Sequence, residues 1–473
     1  MIESKIVIVY LVGGSGSRLW PLSRQKQPKP FVNFLNTPSL FLQTINRHKN
    51  ITTQQIVVTN ETQVDLVKQT LKSTNSTIQT TLISEPIPRN TSAAIALAAL
   101  YLNPEDIMVV VPSDHIIETE PYLDSLSIAI ETALKGQLAL FGIIPTSPET
   151  GYGYIQTKES TQKLKNTPTP ILKFHEKPSK DQAATYLSSG NYLWNSGIFC
   201  FQVATMLKEL QTHCPIIYET SSDALKKAKK DERVLQINKK DMMHIPEMPI
   251  DISIMEKSSN TTVIPVEWNW SDLGSFDSIL EHFDKDDQGN LASANSIQKE
   301  SQNNLILSTS KRLICTTGLQ DTIVVDTPDA LLVSSKNQSS QLKQLLKEVE
   351  KETPNLLIEH QTTERPWGYF TVLHESEGYK VKEIGVTPNQ RLSLQKHKHR
   401  SEHWTIVKGT AIVTIDDQTH TLDENKSIYI PKGAIHRLEN KTKNLIKVIE
   451  VQYGDYLGED DIIRIEDDYQ RLG

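Results

Sequence analysis

A glycine-rich stretch near the start of the chain carries the first residues whose types and spacing could do chemistry. Its candidate phosphate-binding residues are Gly13, Gly14, Gly16, Arg18 and Lys29. The three glycines follow an apolar run over residues 6–12 and would let backbone amides approach phosphate oxygens without a side-chain clash. The two cations would stabilise the charge that develops while pyrophosphate is displaced. We therefore predict a phosphate site for a displacement reaction.

Two commoner phosphate-binding motifs do not fit this stretch. The dinucleotide fingerprint requires a third glycine or alanine where this chain has Leu19. A P-loop would end in Gly-Lys-Ser or Gly-Lys-Thr, which the stretch lacks. A glycine-rich turn by itself is more often structural, so the cations and the preceding strand are what favour phosphate binding.

Two aspartates follow apolar runs that are typical of buried strands. Asp114 follows residues 107–111, and Asp272 follows residues 263–266. Taken alone, an aspartate after a strand is more often a turn residue than a ligand. Ligands of open α/β sheets nevertheless bind beyond the carboxyl ends of strands, and Mg²⁺ prefers oxygen ligands and bridges nucleotide phosphates. We predict that both aspartates hold Mg²⁺ during an in-line displacement at phosphorus.

Histidines in the last quarter of the chain form a second group. His397 and His399 are two residues apart and would point to one face of a strand. His403 shares that parity, and His436 would return from a later strand. Four convergent imidazoles predict a divalent metal site, and a solvated, histidine-rich strand is the alternative. Glu402, beside His403, is an alternative ligand or a base.

Composition limits the classes of function. The 473 residues are enough for two or three domains. A net charge of −7 argues against nucleic acid as a non-specific partner. Three scattered cysteines exclude a disulfide scaffold or a zinc ribbon and favour a reducing compartment. The first apolar run is too short for a membrane span, so we expect a cytoplasmic protein without a membrane partner, which could form a homo-oligomer.

The pattern of elements predicts three segments. Residues 1–284 alternate β-branched runs with helical stretches, which predicts a Rossmann-like α/β domain with a mostly parallel sheet. Residues 285–355 predict a small β connector and then a helix over residues 339–352. Residues 356–473 contain many short strands broken by turn residues and predict an all-β barrel. The clearest predicted elements are strands 6–12, 56–59, 107–111 and 138–143 and helices 62–71 and 92–102, the last capped by Asn90 or Thr91.

The first half resembles the sugar-1-phosphate nucleotidyltransferases, and more narrowly the mannose-1-phosphate guanylyltransferases. Besides the glycine-rich stretch, the resemblance rests on EPIPRNT at 85–91, PSDH at 112–115, GYGYI at 151–155, EKP at 176–178, NSGIF at 195–199 and WSDLGS at 270–275. Val12 and Pro30 depart from the family pattern, which usually has Ala and Gln. The resemblance implies nucleotide contacts by Gly13, Gly14, Gly16, Arg18, Glu85, Arg89, Asn90 and Asp114, and sugar-phosphate contacts by Gly153, Glu176, Lys177 and Asn195.

The last segment resembles the cupins, and in particular the type II phosphomannose isomerases. The supporting motifs are HxHxxxH at 397–403, PxGxxHxxxN at 431–440 and the stretches 365–368, 390–395, 424–425 and 458–461. His403 stands where many cupins have Glu. The resemblance implies an isomerase with a divalent metal (Zn²⁺, Co²⁺, Mg²⁺ or Fe²⁺). Such an enzyme needs a cation for the substrate phosphate, for which Arg400 is the candidate, and a base, for which Glu402 is the candidate.

Together the two resemblances imply a bifunctional enzyme. It would transfer GMP from GTP to mannose 1-phosphate, giving GDP-mannose and pyrophosphate, and interconvert fructose 6-phosphate and mannose 6-phosphate. Two alternatives stay open. In one, the cupin is a non-catalytic metal-binding or oligomerising module; in the other, the transferase uses another nucleotide or another sugar 1-phosphate.

Overall fold

The computed structural model describes residues 5–469 apart from 15, 36, 75 and 294, and omits the side chains of 162, 339 and 340. The described residues fall into two compact units, within Met1–Glu352 and Thr353–Gly473. No helix in this described part of the chain is long and apolar enough to cross a membrane.

The first unit is built on a twelve-stranded sheet. Its strands and the accompanying two-stranded ribbon are β1 (Ile6–Val12), β2 (Gln54–Asn60), β3 (Gln79–Glu85), β4 (Ile107–Pro112), β5 (Ile116–Ile117), β6 (Leu138–Ile143), β7 (Tyr154–Gln156), β8 (Thr169–Pro170), β9 (Lys173–His175), β10 (Tyr192–Gln202), β11 (Lys229–Asp231), β12 (Val234–Gln236), β13 (Thr261–Val266) and β14 (Trp270–Ser271). The main order is β11-β12-β3-β2-β1-β4-β10-β6-β13-β8. β1 pairs in parallel with β2 and β4, whereas β10 runs antiparallel to β4 and β6. This mostly parallel sheet confirms the predicted α/β fold.

Helices cover both faces of the sheet, because its central strands are apolar runs buried on both sides. The helices of this part are α1 (Leu40–His48), α2 (Val64–Ser73), α3 (Asn90–Tyr101), α4 (Thr119–Leu134), α5 (Lys180–Ser189), α6 (Val203–His213), α7 (Pro215–Lys226), α8 (Lys239–Met243) and α9 (Phe276–His282). Short 3-10 helices span Ser17–Leu19, Lys29–Phe31, Glu61–Gln63 and Thr161–Lys163, and a π-helical turn spans Asp251–Met255.

The predicted cap of α3 is wrong. Asn90 is the first residue of the helix and has a left-handed backbone, with φ at 64°. Within the described part of the chain its carboxamide oxygen accepts one hydrogen bond, from the N–H of Thr91 at 2.9 Å. The Thr91 hydroxyl accepts the backbone N–H of Ile250, at 2.8 Å, and so joins α3 to the segment before the π-helical turn.

The segment predicted as a β connector is a small parallel β-helix. Its strands are β15 (Leu291–Ala292), β16 (Ser296–Lys299), β17 (Leu305–Ser308), β18 (Ile314–Thr317), β19 (Thr322–Asp326) and β20 (Leu331–Ser335). β15, β17 and β19 stack in parallel, as do β16 and β18. Buried Asn290 and Asn304 link successive coils, because Asn304 donates to Asn290 Oδ1 at 3.0 Å and accepts from Thr322 at 2.9 Å. α10 (Ser339–Glu352) follows, as predicted.

The second unit is the predicted all-β fold. Its elements are α11 (Asn355–Ile358), β21 (Thr362–Arg365), β22 (Gly368–Ser376), β23 (Tyr379–Val386), β24 (Leu394–His397), β25 (Arg400–Lys408), β26 (Ala411–Ile415), β27 (Gln418–Leu422), β28 (Ser427–Ile430), β29 (His436–Glu439), β30 (Ile446–Gly454), a 3-10 helix Glu459–Asp461 and β31 (Ile462–Glu466). They form a six-stranded and a five-stranded sheet. Apolar side chains of both sheets, including Trp404, Leu438 and Val448, fill the core between them.

Candidate active sites

The glycine-rich loop is shaped by positive backbone angles and by a close approach to Lys29. Gly14 and Gly16 have φ of 92° and 58°, a region that side-chain-bearing residues rarely adopt. A Cβ at Gly16 would lie 2.7 Å from the backbone nitrogen of Lys29. A Cβ at Gly13 or Gly14 would meet nothing within 4 Å among the described atoms. The loop therefore packs on Lys29 at one point and is open at another, as a phosphate-binding backbone requires.

Lys29 joins the two predicted metal-binding aspartates. Its side chain is 9% exposed, and Nζ lies 2.8 Å from Asp114 Oδ2. Nζ also donates to the backbone oxygen of Asp272. Burial alone would raise the pKa of Asp114, but the charges of Lys29 and His115 more than offset this and hold that pKa below its usual range. Asp114 is thus kept ionised, as a metal ligand must be.

A short antiparallel ribbon explains why residues so far apart in sequence meet. In the β5–β14 pair, Ser271 lies opposite Ile116. Asp114 and His115 immediately precede β5, and Asp272 immediately follows β14. The antiparallel pairing therefore brings both aspartates to the same end of the ribbon. The sequence analysis placed Asp272 after the strand at 263–266, but β14 is the strand that positions it.

A pocket of about 660 Å³ opens beside Asp272 and is also lined by Arg18, Tyr152 and Trp270. The Tyr152 hydroxyl donates to Asp272 Oδ1 at 2.9 Å, and the Gly274 N–H donates to the same oxygen at 3.0 Å. These bonds fix the orientation of the carboxylate. The GYGYI motif contains Tyr152, but its sequence alone did not predict a role for this tyrosine.

The predicted nucleoside-binding residues lie at the end of β3 and the start of α3. Burial raises the pKa of Glu85 to about 8. Its Oε1 is buried and has no hydrogen-bond partner within the described part of the chain. Arg89 instead donates to the backbone oxygens of Met242 and Met243, at 3.2 and 3.0 Å. Glu85 is therefore available to a ligand, while Arg89 is occupied in holding α8.

The predicted sugar-phosphate residues gather around a carboxyl group that the sequence analysis missed. Asn195 Nδ2 donates to Asp251 Oδ1 at 2.7 Å. Burial and then the neighbouring charge of Glu176 raise the pKa of Asp251 to about 6. A Cβ at Gly153 would lie 2.9 Å from Glu176 Oε2, so the glycine makes room for this carboxylate. Lys177, 60% exposed, pairs with Glu176 at 2.8 Å.

The second unit contains a buried group of two histidines and one carboxylate. One ligand atom from each of His397, Glu402 and His436 lies within 4.8 Å of the others. Burial lowers the pKa of His436, which favours the neutral imidazole that binds metals. Its Nδ1 lies 3.0 Å from the Ala434 oxygen, and its Nε2 has no hydrogen-bond partner among the described residues. This donor set fits a divalent metal.

Two of the four predicted histidine ligands are not part of this group. β24 ends at His397 and β25 begins at Arg400, so the two residues between the strands reset the side-chain alternation. Glu402 consequently points inward, and His403 is exposed, with its ring 4.7 Å from that of Tyr429. His399 is also exposed, and its Nδ1 lies 3.7 Å from Asp455. Glu402, predicted as the alternative ligand, takes their place in the structure.

Arg400, the predicted phosphate contact of the cupin, is buried beside this group. Its Nε donates to Glu402 Oε1 at 3.0 Å, and its Nη1 donates to the Gly458 oxygen at 2.9 Å. Arg400 also lines a small cavity with three other cations: Arg365, Lys382 and Arg464. Lys382 is paired there with Glu459. Arg400 is therefore one member of a cationic wall and not an isolated phosphate-binding residue.

These features define an enzyme that acts on nucleotide phosphates, joined to a metal-binding cupin. The chain belongs to the nucleotidyl transferase family, which matches residues 7–289. Residues 294–349 match the MannoseP isomerase/GMP-like beta-helix domain, and residues 352–467 match the mannose-6-phosphate isomerase C-terminal family.

Relatives of similar length share this organisation. The alginate biosynthesis protein AlgA of Pseudomonas aeruginosa is 39% identical, over 98% of this chain and 97% of its own. A mannose-1-phosphate guanylyltransferase of Klebsiella pneumoniae is 37% identical, over 98% of this chain and 99% of its own. The resemblance inferred from the motifs is therefore confirmed.

Two solved structures each match more than half of the chain, so their aligned parts overlap. One, described as a mannose-1-phosphate geranyltransferase from Thermus thermophilus, aligns with a TM-score of 0.64 at 26% identity, covering 73% of this chain and 99% of that protein. A mannose-6-phosphate isomerase from Helicobacter pylori aligns with a TM-score of 0.50 at 29% identity, covering 56% and 99%. The family match at residues 352–467, together with the group of His397, Glu402 and His436, implies a metal-dependent site in the second unit.

Proposed function

We propose that this chain is bifunctional. Its α/β part transfers GMP from GTP to mannose 1-phosphate, and its cupin interconverts fructose 6-phosphate and mannose 6-phosphate. The observation that carries the first activity is the contact of Lys29 with both Asp114 and Asp272, next to the glycine-rich loop. The corresponding domains are residues 1–284 for transfer, 285–355 for the β-helix and α10, and 356–473 for the cupin.

In the transferase site, the phosphates of GTP would lie on the glycine-rich loop, and Asp114 and Asp272 would hold Mg²⁺, which would neutralise phosphate charge. An oxygen of mannose 1-phosphate attacks the α-phosphorus in line and pyrophosphate leaves. Lys29 stabilises the charge on the reacting phosphoryl group, and Arg18 that on the leaving pyrophosphate. Tyr152 supports this by fixing the Asp272 carboxylate at 2.9 Å.

Glu85 favours guanine as the base. Guanine presents two adjacent N–H donors on its pairing edge, and a carboxylate is an acceptor with room for both. Adenine carries an acceptor, N1, in the middle of that edge, and this atom would face an ionised Glu85 carboxylate without a proton to donate. Burial raises the pKa of Glu85 to about 8. Hydrogen bonds donated by the guanine base would stabilise the ionised form of this carboxylate.

Mannose 1-phosphate binds at the cluster around Asp251. Lys177 is the exposed cation of the cluster and takes the sugar phosphate. Glu176 and Asn195 accept and donate hydrogen bonds at sugar hydroxyls, with Asp251 orienting Asn195 at 2.7 Å. Gly153 gives Glu176 the space to reach the sugar.

In the cupin, His397, Glu402 and His436 hold the metal, which when bound polarises the substrate carbonyl. A base must then carry a proton between C1 and C2. Glu402 is the first candidate, but it already lies 3.1 Å from His397 and accepts from Arg400. Glu450, which like Glu402 accepts from Trp404 Nε1 (3.0 Å) and also lines the cavity, is the second candidate. The cationic wall with Arg400 takes the substrate phosphate.

Two assays on the purified full-length chain test this proposal. Incubation with Mg²⁺, mannose 1-phosphate or glucose 1-phosphate, and each of GTP, ATP, UTP and dTTP should give GDP-mannose fastest. Fastest turnover of UTP with glucose 1-phosphate would contradict the assigned specificity. Incubation with fructose 6-phosphate and Zn²⁺, Co²⁺ or Mg²⁺ should give mannose 6-phosphate. Absence of mannose 6-phosphate with every metal would favour the alternative hypothesis, in which the cupin binds a metal but catalyses no isomerisation.

A further inference from the structure

Helix α10 forms one side of the pocket that Arg18 and Asp272 line. Lys343, in the second turn of α10, lines the same pocket as Arg18 and Asp272. Asn337, in the turn just before the helix, lines it as well. α10 also contacts the short helix Ser17–Leu19, which carries Arg18. A helix that follows the β-helix therefore supplies a cation to the pocket that contains Arg18 and Asp272.

The position of α10 is set by contacts on its other side. Leu342 is buried, and together with Phe276, Ile323 and Leu332 it lines an apolar groove beneath the helix. The Asn337 backbone N–H donates to Asp277 Oδ1 at 2.9 Å, which ties the start of α10 to that of α9. Lys343 is adjacent in sequence to the buried Leu342, so these contacts hold it at the edge of the pocket.

The cations that line the pocket differ from Lys351, on the same helix α10, in whether they form an ion pair. Neither Arg18 nor Lys343 lies within 4 Å of a carboxylate oxygen of the described residues, and neither donates a hydrogen bond to them. Lys351, further along the same helix, pairs with Glu348 at 3.1 Å. Glu149, Asp272, Asp277 and Glu281 also line the pocket, so a triphosphate that binds there needs the charges of both Arg18 and Lys343, whose donors are free.

We propose that Lys343 binds the terminal β- and γ-phosphates of the nucleoside triphosphate, opposite Arg18, and binds pyrophosphate in the reverse reaction. This inference rests on the proposed transferase function. Arg18 follows the glycine-rich loop, and the terminal phosphates carry most of the triphosphate charge. The sugar-phosphate residues Glu176 and Lys177 are not among the described residues that line this pocket. We assign Lys343 to the leaving group because it shares this pocket with Arg18 and not with Lys177. Tyr152 and Trp194, the neighbours of Gly153 and Asn195, line the pocket too, so the KM for mannose 1-phosphate must be measured beside that for GTP.

The test compares Lys343→Gln with Lys347→Gln in the full-length chain. Lys347 lies one turn further along α10, is exposed and does not line the pocket. Both substitutions remove one charge and keep a good helix former. In Lys343→Gln we expect the KM for GTP to rise about tenfold, and the KM for pyrophosphate in the reverse reaction to rise by a similar factor; tenfold corresponds to about 1.4 kcal/mol. The KM values for mannose 1-phosphate and GDP-mannose should stay unchanged, and Lys343→Arg should restore binding.

Equal KM values for GTP and pyrophosphate in Lys343→Gln and Lys347→Gln would overturn the inference. A rise confined to the KM for mannose 1-phosphate would overturn it too, because Lys343 would then serve the sugar phosphate. If the wild-type chain transferred no nucleotide at all, the proposed function would fail first. Calorimetric titration with pyrophosphate and Mg²⁺ would then test the role of Lys343 independently of nucleotide transfer. Weaker pyrophosphate binding by Lys343→Gln than by Lys347→Gln would support the inference, and equal binding would refute it.

Discussion

Lys29 Nζ lies 2.8 Å from Asp114 Oδ2 and also donates to the backbone oxygen of Asp272. One buried cation thus holds together two acidic residues that are far apart in sequence and that meet only because β5 pairs with β14. The same cation lowers the pKa of Asp114 against the effect of burial. The transferase site is organised around this contact.

Replacement of Lys29 by Met should lower kcat for GMP transfer by about 10²–10³-fold, the usual cost of removing one stabilising group from the transition state. The pKa of Asp114 should rise, because the effect of burial would then no longer be opposed by the charge of Lys29. Steady-state kinetics of GDP-mannose formation measures the first effect. Lys49→Met, at an exposed position after α1, is the control and should leave kcat unchanged. A loss of less than threefold at Lys29 would contradict its assigned role.

Glu85→Gln should weaken GTP binding and stabilise the free protein at high pH. Folding raises the pKa of this acid from its usual 4.5 to about 8, so the folded chain keeps a proton that the unfolded chain has lost between these values. The amount by which Glu85 destabilises the folded chain therefore grows as pH rises from about 5 to 8. The variant should have a higher Tm than wild type at pH 8 and the same Tm at pH 4. The shift should be about 2–4 °C for each kcal/mol removed.

The same variant should lose preference for GTP over ATP, because an amide presents a donor where the carboxylate had only acceptors. Competition assays at pH 8 measure the ratio of kcat/KM values for the two nucleotides, and we expect it to fall about tenfold. Glu61→Gln, at an exposed position after β2, serves as the control. An unchanged ratio in Glu85→Gln would remove Glu85 from the base-binding residues.

Asp251→Ala should raise the KM for mannose 1-phosphate about tenfold and leave the KM for GTP unchanged. The reason is that Asn195 loses the carboxylate that orients its amide at 2.7 Å, and a lost hydrogen bond of this kind costs about 1–3 kcal/mol. Initial rates at varied concentrations of each substrate separate the two KM values. Asp124→Ala, at an exposed position on α4, is the matched control. An effect on GTP alone would show that the Asp251 cluster does not bind the sugar phosphate.

Substituting histidines one at a time can distinguish the metal ligands of the cupin from histidines that bind no metal. His436→Ala removes one member of a buried three-residue group and should leave the protein with little metal after dialysis. His403→Ala changes an exposed residue and should keep roughly one ion per chain. Metal analysis of both variants by mass spectrometry is sufficient. Loss of metal in His403→Ala would restore the four-histidine site that the sequence predicted.

Elements dominated by one simple pattern could be predicted from the sequence. The strands at 6–12 and 138–143 match β1 and β6 to the residue, because continuous apolar runs bounded by glycine or polar residues have few alternatives in a parallel sheet. The order of the motifs likewise predicted both the nucleotidyltransferase part and the cupin part of the chain. The β-helix was not predicted, because its coils are short and its parallel pairing joins strands that are not adjacent in sequence.

The parts of the sites that could not be predicted depend on packing. Counting residues placed His403 on the same face as His397, but the break between β24 and β25 reverses the alternation. Asp251 carries no motif, and it becomes a site residue only because the chain places it beside Asn195. Arg89 was predicted as a nucleotide contact, and the structure adds a second role that its sequence position does not indicate, since its Nε and Nη2 donate to the Met242 and Met243 oxygens.

A crossed assay of two single variants, Asp272→Asn and His436→Ala, for both activities would show whether the two sites of this chain work independently. We predict that Asp272→Asn loses GDP-mannose formation by at least about 10²-fold and keeps the isomerisation of fructose 6-phosphate. His436→Ala should show the reverse pattern. Circular dichroism and thermal unfolding would establish that both variants are folded. Loss of both activities in one folded variant, or retention of GMP transfer by Asp272→Asn, would contradict the claim that one chain carries two independent sites.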